Sequence, residues 1–257
     1  MENAPRQIVA FGGGGFSMES GNPLLDEYVL GLCRSERPKV CFLPSASGDA
    51  DHYVVRFYRA FPAERCDPSH VSLFRREQGP DDLRAHLLSR DLIYVGGGSV
   101  VSLLGVWRAH GIDRILREAW EAGVILCGLS AGSLCWFEEA VTGFHGAPQR
   151  VQGLGLLPFS NCVHYEPTSQ RRLAYHEMLR EGMRPGYAAE DSAGLHFVGP
   201  ELNRVVASRP AARGYRLDAT EEGVVERRLA TTYLGDAPRS ARLRGATSST
   251  TSAGSAA

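Results

Sequence analysis

The sequence predicts an α/β protein: a mainly parallel sheet sandwiched by helices, with an antiparallel extension at the C-terminal end. Short apolar β-type runs alternate with amphipathic segments through the first half of the chain. That order winds a parallel sheet with both faces covered. Three of the runs end in small-residue turns, Gly12-Gly13-Gly14-Gly15, Gly96-Gly97-Gly98-Ser99 and Gly128-Leu129-Ser130-Ala131-Gly132. In such sheets the functional groups gather at the carboxyl ends of the strands, so these turns are expected to share one edge.

Strands are expected at residues 8–11, 39–43, 71–74, 92–95 and 124–127, each a short apolar run bounded by turn residues. Helices are expected at residues 23–33, 52–61, 81–88, 100–109 and 113–122. Another is expected at 133–140, where Leu134, Trp136 and Phe137 supply apolar anchors. The last third changes character: residues 194–198, 204–208, 213–217 and 224–229 read as short antiparallel strands, with no linker before them. Residues 1–234 are therefore expected to form one domain. Residues 235–257 are rich in Ser, Thr, Ala and Gly, lack a core pattern, and are expected to be a disordered tail.

Composition excludes several classes of function. A net charge of -1, from 28 basic and 29 acidic residues, provides no field that would favour nucleic acid or a membrane surface. No apolar run approaches the roughly eighteen residues that a spanning helix needs. The first residues, MENAPRQIVAF, enter a strand without a basic-then-apolar leader, so the expected location is cytoplasmic. The six cysteines contain no C-x-x-C pair, and Cys41 and Cys127 lie within strand-like runs, which reads as buried free thiols. The eight histidines form no recognisable ligand set, and neither a metal nor a cofactor is expected. The first glycine cluster has neither a G-x-G-x-x-G spacing nor a Walker lysine, which ranks nucleotide binding low.

Residues 124–137, VILCGLSAGSLCWF, carry the G-x-S-x-G pattern of a nucleophile elbow. Such a turn exposes the Ser130 hydroxyl and leaves the Ala131 N–H free to hold a developing negative charge. A second donor is expected from the Gly96-Gly97-Gly98 loop, where the lack of side chains lets a substrate oxygen approach. The hydroxyl also needs a base. His164 lies between a strand-like entry and a Tyr-Glu-Pro turn and is the leading candidate; His145, in a Gly-flanked loop, is weaker. His176 falls within a helical pattern and His196 within a strand, and both read as structural.

The segments VGGGSVVSLLGVWRAHGID, CGLSAGSLCWF and NCVHYEP, in that order, resemble the peptidase E family of serine peptidases, which includes aspartyl dipeptidases and cyanophycinases. The likeness runs from about residue 8 to 230. It implies a class I glutamine-amidotransferase-like fold with serine in place of the usual cysteine, acting on short peptides, those with acidic N-termini among them, through an acyl-enzyme. It implies Ser130 as nucleophile, His164 as base, and Gly98 and Ala131 as oxyanion donors. The segment GYAAEDSAGLHF points to Glu190 as the third member of the triad, with Asp191 the adjacent competitor. Glu138 and Glu139 are expected on the helix after the elbow, facing solvent or making cap contacts.

Two features depart from the aspartyl branch: Ser99-Val100 stands where that branch has Asn-Thr, and the loop after His164 is short. Arg171 and Arg172 are the candidates for binding an acidic side chain, the alternative being a solvated helix start. A second reading keeps the fold but makes the chain a catalytically weak binding or regulatory protein. Amide-transfer chemistry would need a thiol at the elbow, and a lipase-like hydrolase would carry its acid between serine and histidine. Homo-oligomerisation is left open.

Overall fold

The computed structural model describes residues 4–76 and 79–236. In chain order it begins with β1 (Gln7–Phe11), α1 (Gly15–Met18), α2 (Leu24–Leu30), β2 (Lys39–Leu43), α3 (Asp51–Ala60) and β3 (Asp67–His70). Next come α4 (Leu83–Leu88), β4 (Leu92–Val95), α5 (Val100–His110), α6 (Ile112–Glu121), β5 (Ile125–Leu129) and α7 (Ala131–Leu134). The remainder is β6 (Phe137–Thr142), β7 (Gln149–Gln152), β8 (Leu157–Val163), α8 (Gln170–Arg180), β9 (Gly186–Ala189), β10 (Ala193–Val198), β11 (Glu201–Ala207), β12 (Gly214–Thr220), β13 (Gly223–Arg228) and β14 (Thr231–Tyr233).

Among the described residues, eight strands form the main sheet in the order β14-β11-β10-β1-β5-β4-β2-β3. The run from β1 to β3 is parallel, while β10 adds antiparallel to β1 and β11 antiparallel to β10. The central parallel strands β1, β2, β4 and β5 read as apolar runs because both of their faces are covered, whereas the edge strand β3 is polar. In β1, Ile8 and Ala10 pack into one core while Val9 and Phe11 pack into the other. On the second of these faces, α2 and α3 cover an aromatic cluster in which Phe42 and Phe57 stack with ring centroids 4.9 Å apart.

The opposite face is covered by α5, α6 and a second sheet of six strands, ordered β13-β12-β9-β8-β6-β7. Trp107, Trp136, Phe137 and Phe197 fill the space between, all fully buried. α8 closes the far side of the second sheet, with Tyr175 and Leu179 against Cys162, Ala188 and Leu217.

Several elements differ from expectation. The third strand is Asp67–His70, and residues 71–74 leave the sheet. The cause is the Asp49 carboxylate, which accepts from Ser72 Oγ at 2.6 Å, Leu73 N at 2.7 Å and Phe74 N at 2.9 Å and bends the segment round itself. The expected helix over 133–140 is one turn, α7, followed by strand β6. A strand buried on both faces has no alternation, so its apolar spacing imitates a helix. Glu138 and Glu139 therefore lie on a strand: Glu138 pairs with Arg184, and buried Glu139 binds Arg150, Gln152 and the Arg184 N–H. The late strands split between both sheets: β10 and β11 extend the main one, β12 and β13 the second. Of the tail expected from residue 235, Gly235 and Asp236 close a 3-10 turn; residues 237–257 lie outside the described residues.

Candidate active site

The elbow is built by steric exclusion. A Cβ on Gly128 would stand 2.4 Å from Gly132 O, and one on Gly132 would stand 2.3 Å from Val95 O. Only glycines let β5, β4 and α7 meet this closely. Ser130 takes φ 53 and ψ -115, a left-handed conformation that costs a side-chain-bearing residue on the order of 1–3 kcal/mol. Its carbonyl accepts from Ser133 N and Leu134 N, and its N–H donates to Phe11 O, so the main chain is held on both sides.

His164 follows β8 and also has a positive φ, of 52°. Its Nε2 lies 2.9 Å from Ser130 Oγ, and its Nδ1 lies 2.5 Å from Asp191 Oδ1. An ionised carboxylate only accepts, so Nδ1 carries the proton and Nε2 is left to accept from the serine hydroxyl. The imidazole is 23% exposed and reachable by a ligand.

Asp191, rather than the expected Glu190, is the carboxylate on His164. Glu190 is buried and accepts from Tyr215 Oη at 2.5 Å and Arg213 N at 2.9 Å, which leaves it committed to β12 and the loop before it. Asp191 is aimed by the first glycine cluster. A Cβ on Gly13 would stand 2.2 Å from Asp191 Oδ1, and Gly13 O accepts from Ser192 N at 3.0 Å. The Asp191 N–H donates to Glu166 Oε1 at 3.1 Å. The clue in the sequence was the glycine run itself, where the missing side chain of Gly13 leaves the room that Asp191 Oδ1 occupies.

The triple-glycine loop passes beside the nucleophile: a Cβ on Gly97 would stand 3.4 Å from Ser130 Cβ. Gly97 N donates to Tyr53 Oη at 3.0 Å, and Ser99 N to Ala46 O at 2.8 Å. Between them Gly98 has φ 139°, and a Cβ there would stand 2.1 Å from Ala46 O. Among the described residues, neither the Gly98 nor the Ala131 N–H has an acceptor.

The two arginines have different surroundings. Arg172 pairs with Glu226 and lies over the rings of Tyr165 and Tyr215, at 5.0 and 5.5 Å from their centroids. Arg171 has no acceptor among the described residues, and its Nε lies 3.0 Å from where a Gly143 Cβ would be. β6 and β8 run parallel with Val141 opposite Cys162, which sets Gly143 level with His164. His176 is held by Tyr165 and Glu226, and His196 by Tyr28 and Gln7. Burial pushes the Cys127 and Cys135 thiols well above their ordinary range, so the two cysteines flanking the elbow stay protonated.

A left-handed serine at the carboxyl edge of a parallel sheet, bonded through imidazole to a carboxylate, is the arrangement of α/β hydrolytic enzymes that act through serine. The chain belongs to peptidase family S51, whose family model matches residues 8–205, and it is a serine-type peptidase. It is 46% identical over 231 residues to an uncharacterized peptidase, YgaJ, of Bacillus subtilis (strain 168), a match covering 90% of this chain and 100% of that one. It is 30% identical to peptidase E of Streptomyces coelicolor over 49% of this chain and 51% of that protein.

Two solved structures share the fold. A peptidase from an acI-B1 Actinobacterium superposes with a TM-score of 0.65 at 17% identity, covering 89% of this chain and 96% of its own. A putative peptidase E from Listeria monocytogenes EGD-e superposes with a TM-score of 0.56 at 18% identity, covering 88% and 100%.

Proposed function

We propose that this peptidase hydrolyses short peptides through an acyl-enzyme on Ser130, with His164 as general base and acid and Asp191 as its orienting partner. Ser130 Oγ attacks the scissile carbonyl carbon as its proton passes to His164 Nε2. The carbonyl oxygen becomes an oxyanion facing the Gly98 and Ala131 N–H groups. Collapse breaks the C–N bond, and the leaving amine takes the proton from Nε2. Water then attacks the ester and gives its proton to Nε2. That proton returns to Ser130 as the carboxylic acid product leaves. Asp191 keeps the Nδ1 proton in place and offsets the imidazolium charge in each half-reaction. The observation that carries this reading is the unbroken relay of 2.9 Å and 2.5 Å from hydroxyl to carboxylate.

The class I glutamine-amidotransferase-like fold belongs to the same reading, supported by the parallel order β1-β5-β4-β2-β3 with the elbow after β5. So does a single domain over residues 1–234, supported by a core shared between the two sheets. A preference for acidic N-terminal residues is supported by Arg171, a cation without an acceptor at the level of His164; Arg172 is already paired. A fluorophosphonate probe tests the central claim. It is expected to label Ser130 in the wild-type protein and to leave Ser130→Ala unlabelled. Equal labelling of both would remove Ser130 as the nucleophile.

A further inference from the structure

The loop that leaves β6 takes no part in the relay, yet it joins the two sides of the site. It starts at Gly143, level with His164 on the second sheet. Two residues later, His145 Nε2 lies 2.7 Å from Ser99 Oγ, on the triple-glycine side of Ser130. Ser99 is buried, and its Oγ accepts from Ser102 N at 3.1 Å, capping α5. Its own O–H is thus available to donate to the imidazole. Gly98, immediately before it, has a φ that only glycine adopts readily, so its own backbone does little to fix the direction of its N–H. Its neighbours do that: Gly97 is tied to Tyr53, and Ser99 to Ala46, Ser102 and His145.

We propose that His145 is a positioning residue: through Ser99 it fixes the direction of the Gly98 N–H and holds the 143–148 loop across the acyl side of the site. This inference rests on the serine-nucleophile reading above. His145 is itself exposed, with its ring edge-on to Phe144 at 5.0 Å, and Gly146 has φ 123°. Residues 144–147 are thus an exposed strap, and among the described residues this hydrogen bond is its tie to the turn after β4. Losing the tie frees Ser99 on one side and lets the donor at Gly98 swing. A misaimed donor weakens the hole without removing it.

The experiment measures the rate of Ser130 phosphonylation by a fluorophosphonate, whose P=O oxygen occupies the hole as it reacts, alongside the melting temperature. His145→Ala is expected to slow labelling about tenfold, a fraction of the 10²–10³ lost when such a donor is deleted, with melting unchanged. His145→Gln, whose amide reaches the position of Nε2, is expected to restore most of the rate. Ser99→Ala is expected to be slow as well, and the double variant no slower than the slower single one, because both changes break one connection.

Wild-type labelling rates in folded His145→Ala would overturn the proposal, as would fully additive effects in the double variant. Failure of the folded wild-type protein to label at Ser130 would overturn the nucleophile assignment itself, and this inference with it.

Discussion

At residue scale, the neighbours Glu190 and Asp191 serve different ends. Glu190 sits where β9 ends and satisfies two donors, one on β12 and one in the loop before it, while Asp191 turns toward His164 over Gly13. Asp191→Asn is expected to lower kcat on the order of 10⁴-fold, because an amide donating to Nδ1 enforces the wrong tautomer. Glu190→Gln is expected to keep near wild-type turnover but to lose about 1–2 kcal/mol of stability in urea titration, since two hydrogen bonds to a charged carboxylate become bonds to a neutral amide. The reverse pattern would make Glu190 the triad acid. The sequence set these residues side by side without separating them. Both are acidic and both precede β10, and only the seating of Asp191 against Gly13 tells them apart. Ser130 and His164 were legible because each stands where a strand-like run meets a turn.

At the scale of elements, the main sheet was legible apart from β3 and β14, and most of the second was not. Runs such as LIYV and VCFL are apolar throughout and are followed by glycine or proline, so composition alone marks them. β9 has the sequence GYAA, poor in β-formers, because a Cβ on Gly186 would stand 2.0 Å from Ser160 O. β6 was hidden by burial on both faces.

His196 on β10 ties this strand to α2 through Tyr28 Oη at 2.7 Å and to β1 through Gln7 Oε1 at 3.0 Å. Burial, with help from the nearby Arg204 charge, lowers its pKa from 6.5 to about 4. The unfolded chain therefore binds the proton more readily, and stability present above pH 6.5 is lost progressively as pH falls toward 4. Between pH 7 and pH 5 the loss from this group is expected to be about 2 kcal/mol, measured by urea unfolding, and absent in His196→Gln. An equal pH dependence in that variant would assign it to other groups.

At the scale of the whole molecule, the nucleophile stands on one sheet while its base and the carboxylate behind it follow strands of the other. The aromatic layer between the sheets therefore sets the geometry of the relay. Trp136→Ala is expected to cost about 3–5 kcal/mol, as removal of a fully buried large side chain does. Far-UV circular dichroism and tyrosine fluorescence should still report one shared transition; two separate transitions would show that the sheets fold independently.

The same scaffold sustains left-handed backbone at Asp49, Ser130, His164 and Ser192, and three of these four belong to or adjoin the relay. Replacing any of those three by glycine would relax the main chain at the expense of its aim. Among descendants of such a chain, glycine drifting into positions 164 and 192 would mark lineages in which selection for turnover has lapsed while selection for folding continues.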